Sequence, residues 1–130
     1  MKQYIDKQDI SHIYSALWEN GLPKVVSANE IKAIDPMAFR QFLHEIGVYA
    51  YPTKELIEFL GNELVGISIE IGCGYGQIGR SLGLPITDAK VQEIPEVKAY
   101  YLKNEQPIIQ YPKDVEKLEA QEAIKKYKPQ

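Results

Sequence analysis

The stretch Val65-Gly66-Ile67-Ser68-Ile69-Glu70-Ile71-Gly72-Cys73-Gly74-Tyr75-Gly76-Gln77-Ile78-Gly79 constrains this chain more than any other. Its first part alternates, with Val65, Ile67, Ile69 and Ile71 set against Gly66, Ser68 and Glu70. A period of two predicts a β-strand over Val65–Ile71 with one apolar face and one nearly bare face. Three glycines at alternate positions follow, and a helical pattern opens at Gln77. Glycine lacks Cβ, so the backbone can turn tightly and a ligand can touch it. A helix start behind such a turn favours an anionic group.

Glu70-Ile71-Gly72-Cys73-Gly74-Tyr75-Gly76 resembles the first motif of class I S-adenosylmethionine-dependent methyltransferases, an acid followed by x-Gly-x-Gly-x-Gly. Gly74-x-Gly76-x-x-Gly79 also matches the dinucleotide fingerprint. The acid at the strand end separates them: the methyltransferase pattern asks for it and the dinucleotide pattern does not. The plain alternative is a glycine turn without a ligand. The resemblance implies S-adenosylmethionine, or its demethylated product, bound by Glu70, Gly72, Gly74 and Gly76.

At 130 residues the chain is sized for one domain. Its net charge of −3 argues against direct nucleic-acid binding, which needs a basic face to displace counterions. The single cysteine, Cys73, leaves no intrachain disulfide and no cysteine-based metal site. His12 and His44 have no ligand spacing. No apolar run approaches membrane-spanning length. The start, Met1–Asp6, is too polar for a signal peptide, so a cytoplasmic location is expected.

Residues 1–60 read as a helical preface, after a polar lead-in over residues 1–9. Ile10, Ile13, Tyr14, Leu17 and Trp18 follow one helix face, with Asp9 or Ser11 as cap and Gly21-Leu22-Pro23 as stop. Trp18 reads as core or interface. Ser27 and Glu30 form a capping-box pattern for a short helix to about Ile34. Asp35-Pro36 starts a third, with Phe39, Phe42, Leu43 and Ile46 as its stripe and Gly47 as its end. His44 lies beside that stripe. Tyr49, Tyr51 and Pro52 either line a pocket or are ordinary loop residues. Thr53 caps a fourth helix through Leu60, with Leu56, Ile57 and Leu60 inward and Gly61-Asn62 closing it.

Residues 61–130 read as the cofactor-binding half of the family fold. After a short helix from Gln77, Pro85-Ile86-Thr87-Asp88 predicts the second strand. The resemblance makes Asp88 the acid that bonds the ribose hydroxyls. It comes sooner than the usual spacing of about twenty residues after the glycines, and a loop cap is the even alternative. Pro95 opens a helix with Val97, Tyr100 and Tyr101 on one face. Gln106–Gln110 predicts the third strand. The resemblance then offers Asp114 and Val115 as adenine contacts, with a turn-forming aspartate as the other reading. A last helix from about Glu119 places Ala120, Ala123, Ile124 and Tyr127 on its buried face, with Lys125, Lys126 and Lys128 near its C-terminus.

The expected fold is therefore α/β: a helical preface, then a truncated Rossmann-like half-fold of about three parallel strands in the order 3-2-1. The fourth strand of the family, which lies beside the first, is not in the sequence. The first strand becomes an edge that must be covered. The preface, a second copy pairing strand 1 with strand 1, or a larger protein partner can each do so. The resemblance implies weakened cofactor affinity and no methyl transfer by this chain alone. The rival reading is a non-enzymatic protein-binding module reusing the half-fold, such as a small acidic inhibitor or a phage-encoded regulator.

Overall fold

The computed structural model describes residues 7–130; the polar start at residues 1–6 lies outside them. The chain begins with α1, Ser11–Leu17, whose buried face is Ile13 and Leu17. Asp9 supports its start by accepting the Ser11 N–H at 3.0 Å. Trp18 does not extend this helix as its spacing predicts. It begins β1, Trp18–Glu19, which pairs antiparallel with β2, Leu22–Pro23. Asn20 and Gly21 between them have φ of 55° and 75°. Two left-handed residues in a two-residue loop match the right-handed twist of a hairpin, and Asn-Gly is the pair that supplies them.

The next three helices start where their caps predict. Ser27 Oγ accepts the Glu30 N–H ahead of α2, Ala28–Lys32. Asp35 Oδ2 accepts the Ala38 N–H at 2.9 Å ahead of α3, Pro36–Ile46. Gly47 ends α3 in the left-handed region, at φ 72°. Thr53 Oγ1 accepts the Leu56 N–H at the start of α4. α4 covers Lys54–Glu63, so Gly61 and Asn62 lie inside it and do not close it. The core sits in this helical layer: Ile10, Ile13, Leu17, Val26, Ala38, Phe42, Ile46 and Tyr51. Phe42 is its centre, with the Tyr14 ring edge-on at 5.0 Å.

A parallel sheet follows, formed by β3, Glu70–Ile71, β4, Ile86–Asp88, and β5, Glu116–Lys117. β4 is the middle strand, pairing Glu70 with Ile86 on one side and Asp88 with Lys117 on the other. The fold is thus mixed α/β. Between the strands lie α5, Gln77–Ser81, a single 3-10 turn at Val91–Glu93, and α6, Pro95–Lys103. α7, Ala120–Tyr127, closes the chain.

Four expectations are corrected here. The first strand is not the whole of Val65–Ile71; only Glu70 and Ile71 pair. Gly66 turns at φ 72° and breaks the extended run before them. The isoleucine face is not buried either, since Val65 is 82% exposed and Ile67 48%. The side packed by α5 is the one carrying Glu70. The third strand is not Gln106–Gln110, which forms no ladder in the sheet. Pro107 has no N–H to give a ladder, and Ile109 N–H turns instead to the Gln92 side chain at 2.9 Å. The strand is Glu116–Lys117, two charged residues with no readable alternation. Finally, Ile124 is 49% exposed, while Ala123 carries the buried contact of α7.

Candidate functional site

The glycine turn stands at the C-terminal end of β3, beside the C-terminal end of β4. In open parallel sheets this is where ligands bind. Gly72, Gly74 and Gly76 all lie at positive φ, 65°, 57° and 76°. Their surroundings differ. A Cβ on Gly72 would meet nothing within 4 Å, whereas one on Gly76 would run into Ile86 Cδ1 at 2.8 Å. Gly72 is therefore the open side of the turn and Gly76 the side seated on the core. Cys73 N–H reaches Thr87 O at 3.0 Å and Gly76 N–H reaches Cys73 O at 2.9 Å. The Gly72 N–H faces Thr87 O in the β3–β4 ladder, and among the described residues the Tyr75 N–H has no acceptor.

Asp88 fastens the turn to β4. Its Oδ2 accepts the Gly74 N–H at 2.9 Å and its Oδ1 accepts the Lys90 N–H at 2.7 Å. A carboxylate has about four lone-pair sites, so each oxygen keeps room for a further donor. Cap and ligand acceptor are compatible roles for this side chain.

Glu70 works from below. Its carboxylate accepts the Gly79 N–H of α5. The helix comes this close because Gly79 has no side chain: a Cβ there would sit 2.5 Å from Glu70 Oε2 and from Ile86 Cγ2. Desolvation raises the Glu70 pKa against the lowering influence of the Gly79 N–H and Arg80. Burial, with Glu70 and Asp88 nearby, pushes the Cys73 thiol up to about 12. The raised value keeps Cys73 as the neutral thiol, the less nucleophilic form.

Val115 packs against the turn at Gly76, and Asp114 reaches it only through Arg80, which also bonds Tyr75 O. With the third strand at Glu116–Lys117, they precede it and do not follow it. Asp114 forms an ion pair with Arg80 at 2.6 Å. Val115 is buried, 3.5 Å from where a Gly76 Cβ would be. The place beside Asp88 belongs to the residues after β5, where Leu118 N–H donates to Asp88 O at 3.1 Å. Arg80 and Asp114, with Pro85, Ile86, Glu116 and Tyr127, line a separate open cavity of about 520 Å³.

Three residues to which the sequence assigned no site role hold the turn in place. Tyr75 is 8% exposed, packs edge-on against Trp18 at 5.6 Å and donates its hydroxyl to Ile46 O. The Gln77 amide donates to Pro23 O. Arg80 adds a bond to Tyr75 O at 2.9 Å. An aromatic residue between two glycines of a turn was the available signal for Tyr75. Tyr51, a pocket candidate, is instead core, with its hydroxyl 2.6 Å from Lys24 O, while Tyr49 is fully exposed.

Among the described residues, no cluster of His, Cys, Asp and Glu could hold a metal ion, and no helix is long and apolar enough to cross a membrane. No family model, no curated protein and no solved structure matches this chain.

Proposed function

We propose that the glycine turn binds S-adenosylmethionine or its demethylated product, and that β3, β4 and β5 are the nucleotide-binding half of a Rossmann-like sheet. The observation that carries this reading is the pairing of an unused donor with a placed acceptor. The Tyr75 N–H has no acceptor among the described residues, and Asp88 stands at the end of β4 beside the turn with lone pairs to spare. An unpaired N–H suits the carboxylate of the ligand's amino-acid end. A carboxylate at the next strand end suits vicinal ribose hydroxyls. On this reading the base extends toward Leu118 and Glu119, because Leu118 N–H bonds Asp88 O beside the turn. Glu70 positions α5 and does not touch the ligand. The proposal covers binding and assigns no catalytic residue.

Titration calorimetry with S-adenosylmethionine, S-adenosylhomocysteine and NAD tests it. Heat with the sulfur nucleotides, absent with NAD, is expected. Gly74→Val places a β-branched residue at φ 57° and should abolish binding. Asp88→Asn turns one acceptor into a donor facing backbone N–H groups and should weaken binding at least tenfold. No heat with either sulfur nucleotide at millimolar concentration overturns the reading.

A further inference from the structure

We propose that Asn20 is a site of spontaneous modification, at which the side-chain amide is lost to attack by the Gly21 backbone nitrogen and the β1–β2 turn is rebuilt with aspartate or isoaspartate. The chain itself selects the position. Asn29, Asn62 and Asn104 each precede a glutamate, and only Asn20 precedes a glycine. The glutamate nitrogens are engaged. Glu30 N–H reaches Ser27 O at 3.1 Å, Glu105 N–H reaches Leu102 O at 3.2 Å, and Glu63 lies in the last turn of α4. The Gly21 N–H has no acceptor among the described residues. Asn20 and Gly21 are both exposed, and a Cβ on Gly21 would meet nothing within 4 Å. Ring closure needs such a nitrogen, unpartnered and with no side chain over it.

In the step itself, the Gly21 nitrogen bonds to Asn20 Cγ and gives up its proton, while the Cγ–Nδ2 bond breaks and Nδ2 leaves as ammonia. A succinimide ring remains, and water, the only co-reactant, opens it at either carbonyl. One opening leaves aspartate in an unchanged backbone. The other leaves isoaspartate, with an extra methylene in the main chain. The ring closes faster as pH rises, because the attacking nitrogen is the deprotonated amide.

The position matters because of what the loop holds. Asn20 and Gly21 sit at φ 55° and 75° in the two-residue loop that sets Trp18 opposite Pro23. A loop lengthened by a main-chain methylene no longer matches the twist of the two strands. Trp18 packs edge-on against Tyr75 at 5.6 Å, and Pro23 O accepts the Gln77 amide. Isoaspartate at position 20 therefore loosens the glycine turn from the helical layer. Aspartate does so far less, since it keeps the backbone and tolerates the left-handed region. The chemistry does not depend on what the turn binds.

Incubation of the folded chain for days at mildly alkaline pH, followed by peptide mapping with mass spectrometry, tests the proposal. The peptide carrying Asn20 and Gly21 should gain about 1 Da, as two isomers, while those carrying Asn29, Asn62 and Asn104 stay unchanged. Gly21→Ala should slow the gain by an order of magnitude. If that variant disturbs the hairpin, the ranking of the asparagines in the wild type decides the matter without it. Trp18 is the only tryptophan, so its emission should shift in proportion to the isoaspartate fraction and stay near wild type in Asn20→Asp. No gain at Asn20 in the folded chain, while the urea-unfolded chain converts, overturns the proposal, because the hairpin then shields the amide. Conversion at Asn62 or Asn104 as fast as at Asn20 overturns the selection by Gly21. Unchanged Trp18 emission in converted protein overturns the link to the glycine turn.

Discussion

The Tyr75 hydroxyl donates to the backbone carbonyl of Ile46 at 2.6 Å. Ile46 is the last residue of α3, where helix carbonyls lack an intrahelical partner. The side chain that satisfies one of them comes from the middle of the glycine turn. This bond, with the Trp18 contact, makes the turn's position depend on the helical layer. Burial pushes the Tyr75 phenol up to about 12, so it remains a donor throughout the neutral range. Tyr75→Phe should keep the ring packing and leave the carbonyl unmet. A loss of about 1–3 kcal/mol is expected, read as a lower urea midpoint at unchanged slope.

Gly79 is the contact point of α5 on the sheet. Gly79→Ala would press a methyl group against Glu70 Oε2 and Ile86 Cγ2, each 2.5 Å away. Overpacking of this kind costs about 1–3 kcal/mol. Helix propensity alone predicts the opposite sign. Thermal unfolding of the variant decides between them, with destabilisation expected.

Glu70 makes stability depend on pH in the direction unusual for an acid. Its folded pKa is raised above 4.5, so the folded state holds the proton more tightly than the unfolded one. Stability is then highest below the unfolded value and falls as pH rises through the folded value, after which the penalty is constant. Glu70→Gln keeps an acceptor for the Gly79 N–H without the charge. The variant should be more stable than wild type at neutral pH, and the difference should close as pH falls below the unfolded pKa. Denaturant titrations across that range measure it.

Asp114 behaves in the ordinary direction. The Arg80 guanidinium holds its pKa below 3.8. Its contribution is present above that value and is lost as pH falls through the lower folded value. Because the Asp114 side chain is 54% exposed, Asp114→Asn should cost no more than about 1 kcal/mol at neutral pH. If Asp114 stands apart from the nucleotide, the variant should also bind S-adenosylmethionine within a factor of two of wild type; calorimetry checks this.

What the sequence determined by itself was local. Ser27, Asp35, Thr53 and Gly47 fixed helix ends because a cap needs only a side chain and backbone within one turn of each other. The positive-φ turn at Gly72–Gly76 and the strand ending at Asp88 were legible for the same reason. Asn20-Gly21 carried an equally local hairpin signal, which the helical spacing through Trp18 overrode. Only the tertiary structure decided which face of Val65–Ile71 is covered. Alternation marks two faces, but the buried one is chosen by whatever packs there, and Gly79 lets α5 pack on Glu70. It likewise decided the third strand: Glu116–Lys117 has no apolar period, and its place comes from pairing with β4. That moved Asp114 from after the strand to before it, where it pairs with Arg80. Tyr75 owes its role to a carbonyl 29 residues away in sequence, a relationship that no local pattern encodes.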